Sequence, residues 1–348
     1  MKNLIGITCI PDLLRGVRSF PEAFMDLVRE PIRQGSGLEI GHPPGGKRPH
    51  GLRAGFDLTE FRARAGMTAD TFADNIARQM QWSTTYHRLP DSAINYLFDH
   101  LPVHHLLLSF EIPHWLARAC TERGVEFLDL RLSPLRFGRD LYMALRCTSE
   151  ILFDQIAAHS VCEEELRLEA ALLGANVRMH RERLENERGF TFESLDGALL
   201  FVGQAPYDAS LLAPDGRSLR CTDFADELRE LCRGRRLLHK GHPFAPEFAQ
   251  EEREALQYIS GQASQPSQQN AYQILSCEDD VVLAGISSGM LQEAGRFDKT
   301  AHLLYQPFVP LAHPDEAATP NAYQQIHFQK LLSPAFWHQV LAPERPAP

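Results

Sequence analysis

No stretch of the chain approaches the ~18 consecutive apolar residues that a membrane-spanning helix requires, so no bilayer crossing is expected. There is no Cys-x-x-Cys pair. The seven cysteines (Cys9, Cys120, Cys147, Cys162, Cys221, Cys232 and Cys277) are scattered and odd in number. That distribution argues against a disulfide framework or a thiolate zinc site and points to reduced thiols in a cytoplasm. A basic excess is also missing: Lys and Arg number 35 against 45 Asp and Glu, a formal charge of -10. Counterion release, which drives nonspecific nucleic-acid binding, needs a basic face, so no nucleic-acid partner is expected. The N-terminus has one basic residue and a short apolar run stopped by Pro11-Asp12, which reads as a first strand rather than a secretory leader. No internal repeat supports a solenoid.

What the chain does have is length and core. Its 348 residues, 44% hydrophobic and 23% charged, suit two globular domains of ordinary size. In the second half, short apolar runs alternate with helical patterns in the rhythm of βαβ units. Five strands are expected there, Ala198–Gly203, Arg235–Lys240, Ala271–Ser276, Val281–Ile286 and Ala301–Tyr305, with helices at Asp223–Cys232 and Met290–Phe297. The first half repeats the theme with a strand His105–Phe110, a helix from about Pro113 to Arg123, and a strand Val125–Leu130. Several helices are expected from Arg139 to about Arg188. The polar stretches Thr191–Asp196 and Ser260–Asn270 read as linkers, and a proline-rich loop (Pro307, Pro310, Pro314, Pro320) leads into one or two helices over Ala322–Leu341. The fold class expected is α/β, GT-B-like: two Rossmann-like domains, 1–193 and 194–320, with a ligand cleft between them. A C-terminal helical tail, 321–348, is expected to pack back on the first domain.

Open α/β sheets bind ligands at the carboxyl ends of their strands, and three segments occupy that position in the second half. Gly203-Gln204-Ala205-Pro206-Tyr207-Asp208-Ala209-Ser210 offers a loop carboxylate suited to act as base or nucleophile, although an aspartate there equally suits an Asx-turn or a cap. His239-Lys240-Gly241-His242-Pro243 places a lysine and a histidine where they can bracket a phosphate. A metal is less favoured, because carboxylate or thiolate companions are lacking nearby, and a plain solvated turn is the competing reading. Gly285-Ile286-Ser287-Ser288-Gly289 enters a helix and can present hydroxyls and N–H groups to an anion, or serve as an ordinary N-cap. Glu293, one turn on, is a candidate acceptor for ribose hydroxyls or a solvated helix residue. In the first half, Glu111 ends a strand and Arg131, Ser133, Arg136 and Arg139 follow the next. Glu111 can serve as a general base and an arginine can grip a sugar carboxylate, or the two can form a structural ion pair.

Taken in order and spacing, Gly203-Gln204…Asp208-Ala209-Ser210, Lys240-Gly241-His242-Pro243 and Ser287-Ser288-Gly289…Glu293 resemble the retaining β-Kdo transferases of capsule and O-antigen assembly. Phe110-Glu111 and Leu128-Asp129-Leu130-Arg131-Leu132-Ser133-Pro134 match more loosely, and Gly241 stands where those enzymes commonly have proline. The His-Pro and Ser-Ser pieces are also similar to those of bacterial GT-B sialyltransferases. The resemblance implies transfer of Kdo from CMP-Kdo to a surface polysaccharide or glycolipid. Asp208 would attack the anomeric carbon, and Glu111 would assist the acceptor hydroxyl. His242, Lys240, Ser287 and Ser288 would hold the phosphate, and Gln204, Gly289, Glu293 and Arg131 would complete the binding surface. No metal and no cofactor beyond the CMP-sugar donor is expected. The location implied is the cytoplasm, with peripheral attachment to a membrane-bound assembly complex at the inner face of the inner membrane as a further expectation. Two rival enzymes remain, a CMP-sialic acid transferase and a nucleotide-sugar epimerase. So does a non-catalytic polysaccharide-binding or export subunit of the same fold.

Overall fold

The computed structural model describes residues 4–15, 19–45, 48–67, 75–206, 208–243, 245–306, 309–312 and 322–344, with 19–22 and 75–80 as backbone alone. Met1 to Asn3, Tyr207, the loop prolines Pro307, Pro314 and Pro320, and the expected boundary at 320/321 lie outside these residues.

Two sheets organise the chain. The first has β1 (Gly6–Cys9), β2 (Glu39–Ile40), β3 (His105–Phe110), β4 (Phe127–Leu132), β5 (Tyr142–Cys147) and, from the tail, β11 (Gln324–His327), in the order β11-β5-β4-β3-β1-β2. The second has β6 (Ala198–Val202), β7 (Arg236–Lys240), β8 (Gln265–Pro266), β9 (Val281–Gly285) and β10 (Thr300–Leu303), in the order β10-β9-β6-β7-β8, all parallel. Helices cover both faces of each, so the central strands are buried on both sides; β6 and β9 read as continuous apolar runs, whereas β4 carries Asp129 and Arg131. The protein is therefore α/β, with two Rossmann-like sheets in the GT-B-like manner.

Several elements differ from the sequence reading. Ala271–Ser276 is a helix, because Asn270 and Gln273 form a reciprocal capping box with both hydrogen bonds at 2.9 Å. The edge strand β8 comes instead from the stretch read as a linker. Arg139 to Cys147 is not helical: Tyr142–Cys147 is the fully buried β5, which runs antiparallel between β4 and β11. The tail is not helical throughout, since β11 adds an antiparallel edge to the first sheet before helices Phe328–Leu331 and Pro334–Leu341. Pro334–Leu341 lies on helices Ser19–Ser36 and Glu150–Ala157, and its Trp337 is fully buried in the first core.

Topology fixes where a ligand can sit. The chain leaves β1 for β2 on one side and reaches β3 on the other, so strand order reverses between β1 and β3. The same reversal occurs between β6 and β9 in the second sheet. Loops leaving strands at such switch points diverge and open a crevice.

Candidate active site

The two crevices open into a single cavity of about 1270 Å³ between the sheets. Asp208, Glu111, His242, Gln204, Lys240, Ser287, Ser288, Gly289, Glu293 and Arg131 all line it. Sequence reasoning missed Arg15, Tyr86, His114, Arg146, Tyr272 and Tyr323, which line it too.

At the first switch point, the loop after β1 is braced by Asp12, which accepts from Leu14 N–H at 3.0 Å and from Trp82 Nε1 at 2.7 Å. Arg15 then stacks 4.4 Å over Trp82 and pairs with Glu111 at 2.9 Å. Glu111 follows β3 with φ 53, a left-handed conformation that costs a non-glycine residue about 1–3 kcal/mol. Its amide bonds to Leu130 O at 2.8 Å, which holds that conformation beside the end of β4. Such strain concentrates at functional sites, where a side chain must be aimed against local preference.

The second switch point is laced by Gln204 and Ser287. Gln204 Oε1 accepts from Ser287 N–H at 2.8 Å, and Ser287 Oγ lies 3.0 Å from Ser210 Oγ and 2.9 Å from Ser210 O. These bonds tie the loop after β6 to the loop after β9, so Gln204 and the buried Ser287 act first as a frame. Ser288 caps helix Gly289–Glu293 without a side-chain cap bond. The helix expected over Met290–Phe297 is shorter than read: one α-helical turn passes into a 3₁₀ turn at Ala294–Phe297. Asp208, half-buried, accepts from Ser210 N–H at 3.1 Å and so caps the short turn Ala209–Leu211.

Close backbone approach explains two glycines. A Cβ on Gly203 would lie 2.3 Å from Glu252 Oε2, which bonds the buried His239 at 2.7 Å and so anchors the end of β7. A Cβ on Gly289 would lie 3.0 Å from Pro134 O, where the two halves meet. Lys240 Nζ donates to Gln269 O at 2.9 Å, and burial lowers its pKa. Burial likewise holds His242 below 6.5, opposed chiefly by the charge of Asp208, so the two groups sense each other across the cavity.

Glu293 is not a solvated helix residue. It is 4% exposed and accepts from Arg136 N–H in the first half at 2.5 Å and from Tyr272 Oη at 3.2 Å. Burial pushes its pKa from 4.5 up to about 7. A carboxyl raised in this way stabilises the fold fully below the unfolded value, and the contribution is lost as pH rises through about 7. Glu293→Gln keeps an acceptor for both donors without the charge. It is expected to unfold at the same temperature as the wild type near pH ~5 and to be more stable near pH ~8, by at most about 3 kcal/mol. Thermal melts across that range check this, and parallel curves for the two proteins would contradict it.

Among the described residues, no group of three or more His, Cys, Asp or Glu side chains could hold a metal ion, and no helix is long and apolar enough to cross a membrane.

No family model and no curated protein matches the chain. Among solved structures, KpsC of Thermosulfurimonas dismutans, a beta Kdo 2,7 transferase, is 15% identical, with 68% of this chain and 76% of that chain covered at a TM-score of 0.35. The beta Kdo 2,4 transferase KpsC of the same organism is 12% identical, with 56% of this chain and 67% of that chain covered at a TM-score of 0.33.

Proposed function

We propose that the chain is a retaining glycosyltransferase that moves Kdo from CMP-Kdo to a bacterial surface polysaccharide or glycolipid. One observation carries this reading: Asp208, Glu111, Lys240, His242 and Ser288, the side chains to which the proposal gives the chemistry, line one cavity between two switch points. In the first displacement, Asp208 Oδ bonds to the anomeric carbon as the bond from that carbon to the phosphate oxygen breaks, and CMP leaves with the electron pair. Lys240, His242 and Ser288 take up the charge on the departing monophosphate, with Gln204 and Ser287 holding the loops in register. In the second, Glu111 accepts the proton of the acceptor hydroxyl, whose oxygen bonds to the anomeric carbon as the bond to Asp208 breaks. Two inversions give net retention. The acceptor would be presented at the inner face of the inner membrane by an assembly complex.

CMP at about 100 times its Kd is expected to raise stability by about 2.7 kcal/mol, a thermal shift of roughly 5 °C or more. UDP and NAD are expected to give no shift of that size, and better protection by UDP would overturn the donor assignment. Transfer is expected to persist in excess EDTA, since protein side chains alone would neutralise the monophosphate; complete loss reversed by a divalent ion would contradict this.

The non-catalytic reading has one observation in its favour, the capping bond from Ser210 to Asp208, which a purely structural aspartate would also make. It predicts CMP-sugar binding without turnover.

A further inference from the structure

We propose that Arg131 and Arg146, both packed on Tyr323, form a carboxylate clamp that selects an acidic sugar as the acceptor. The inference rests on the transferase reading above and adds the acceptor's chemical class.

The clamp follows from strand register. Asp129 of β4 lies opposite Arg146 of β5, and Arg131 is two residues further along β4. Residues two apart on a strand share a face, so both guanidinium groups project from the same side of the sheet as diagonal neighbours. Their Cζ atoms sit 5.2 Å and 5.4 Å from the Tyr323 ring, within cation–π range. Arg146 is 5% exposed, and the Nε atoms of both arginines are buried without a hydrogen-bond partner. Among the described residues, neither guanidinium makes a hydrogen bond or an ion pair.

The obvious counter-charge is turned elsewhere. Asp129, fully buried, accepts from Ile112 N–H at 2.9 Å through Oδ1 and from Tyr323 Oη at 2.5 Å through Oδ2. Burial raises its pKa, opposed chiefly by the charge of Arg146, so Asp129 acts on the arginines through space without bonding either of them. Glu111 is paired with Arg15. Two arginines with buried, unpartnered Nε atoms and no bonded anion, both lining the cavity, form an expensive arrangement unless a ligand supplies the anion. The planar fork of arginine fits a carboxylate through two parallel hydrogen bonds.

Position assigns that carboxylate to the acceptor. The groups suited to the donor phosphate end strands of the second sheet, whereas Arg131 and Arg146 stand on the first sheet next to Glu111. An acceptor whose hydroxyl meets Glu111 extends its ring over β4 and β5, where the clamp lies.

The test is calorimetric binding of methyl β-D-glucuronoside, methyl β-D-galacturonoside and methyl β-Kdo glycoside, each against its uncharged methyl ester. At least one acid is expected to bind tenfold or more tighter than its ester. Arg146→Gln and the less buried Arg131→Gln should each abolish most of that preference, with melting curves confirming folded protein, and Arg146→Lys should restore part of it. Equal affinity of every acid and its ester for the wild type overturns the proposal. So does an undiminished preference in folded Arg131→Gln. A second arm separates the two sources of carboxylate: Asp208→Asn protein saturated with CMP-Kdo should still bind the acid probe, whereas displacement of the probe would give the clamp to the donor sugar and overturn the acceptor assignment. If the transferase reading itself fails, CMP and CMP-Kdo will not bind, while the wild-type comparison of acid with ester still reads the clamp.

Discussion

Replacing Asp208 with asparagine is expected to lower the transfer rate by about 10³-fold or more while CMP still binds. The substitution keeps the side chain's shape and leaves an oxygen to accept from Ser210 N–H, so the loop cap at 3.1 Å survives. What is lost is the anion that must form the bond to the anomeric carbon. A second readout ties the effect to the cavity. Asp208 is the largest influence raising the pKa of His242 against burial, so the variant should titrate His242 at still lower pH, measurable by NMR. Near wild-type turnover in Asp208→Asn would reduce Asp208 to a capping residue and favour the non-catalytic reading.

Trp337→Ala is expected to cost about 3–5 kcal/mol and lower the melting temperature by roughly 10 °C. Trp337 is fully buried, its Nε1 donates to Leu331 O at 2.7 Å, and it belongs to the apolar core beneath the first sheet. Its helix approaches Ser19–Ser36 so closely that a Cβ on Gly35 would lie 2.2 Å from Pro334 O. The substitution therefore opens a large cavity where relaxation is restricted. Calorimetric unfolding measures the loss, and a change below about 1 kcal/mol would show that the tail is not an integral part of that core.

The elements legible in the sequence were those specified locally. β3, β6 and β9 are short, largely apolar runs buried on both faces, β7 is buried at its Leu237-Leu238-His239 centre, and the loops after β6, β7 and β9 stood out because small or polar residues follow those runs. β11 was hidden because its first two residues are Gln324 and Gln325. Their strand character comes from pairing with β5, and their side-chain carbonyls accept from Ser160 and Ser133, more than a hundred residues away. β5 was hidden because Leu141 and Leu145 share helical spacing, and only the flanking strands decide otherwise. Ala271–Ser276 was misread on apolar content when the Asn270–Gln273 capping box already marked a helix start. At the site, Glu111 was recognisable at a strand end, but its partner Arg15 lies 96 positions earlier. Arg146 and Tyr323 reach the cavity only through the β4–β5 register and the return of the tail. Glu293 stood out as a candidate binding residue, but its burial against the first half was not legible because its partner, the amide of Arg136, is 157 positions away.

The most direct measurement is intact-protein mass spectrometry after mixing the protein with CMP-Kdo and no acceptor. A covalent intermediate should add the mass of one sugar, digestion should place it on the peptide that holds Asp208, and Asp208→Asn should remain unmodified. If CMP is released and transfer to an acceptor proceeds, yet the adduct maps to a different residue or persists in Asp208→Asn, then Asp208 is not the nucleophile and the two-displacement mechanism through it is wrong.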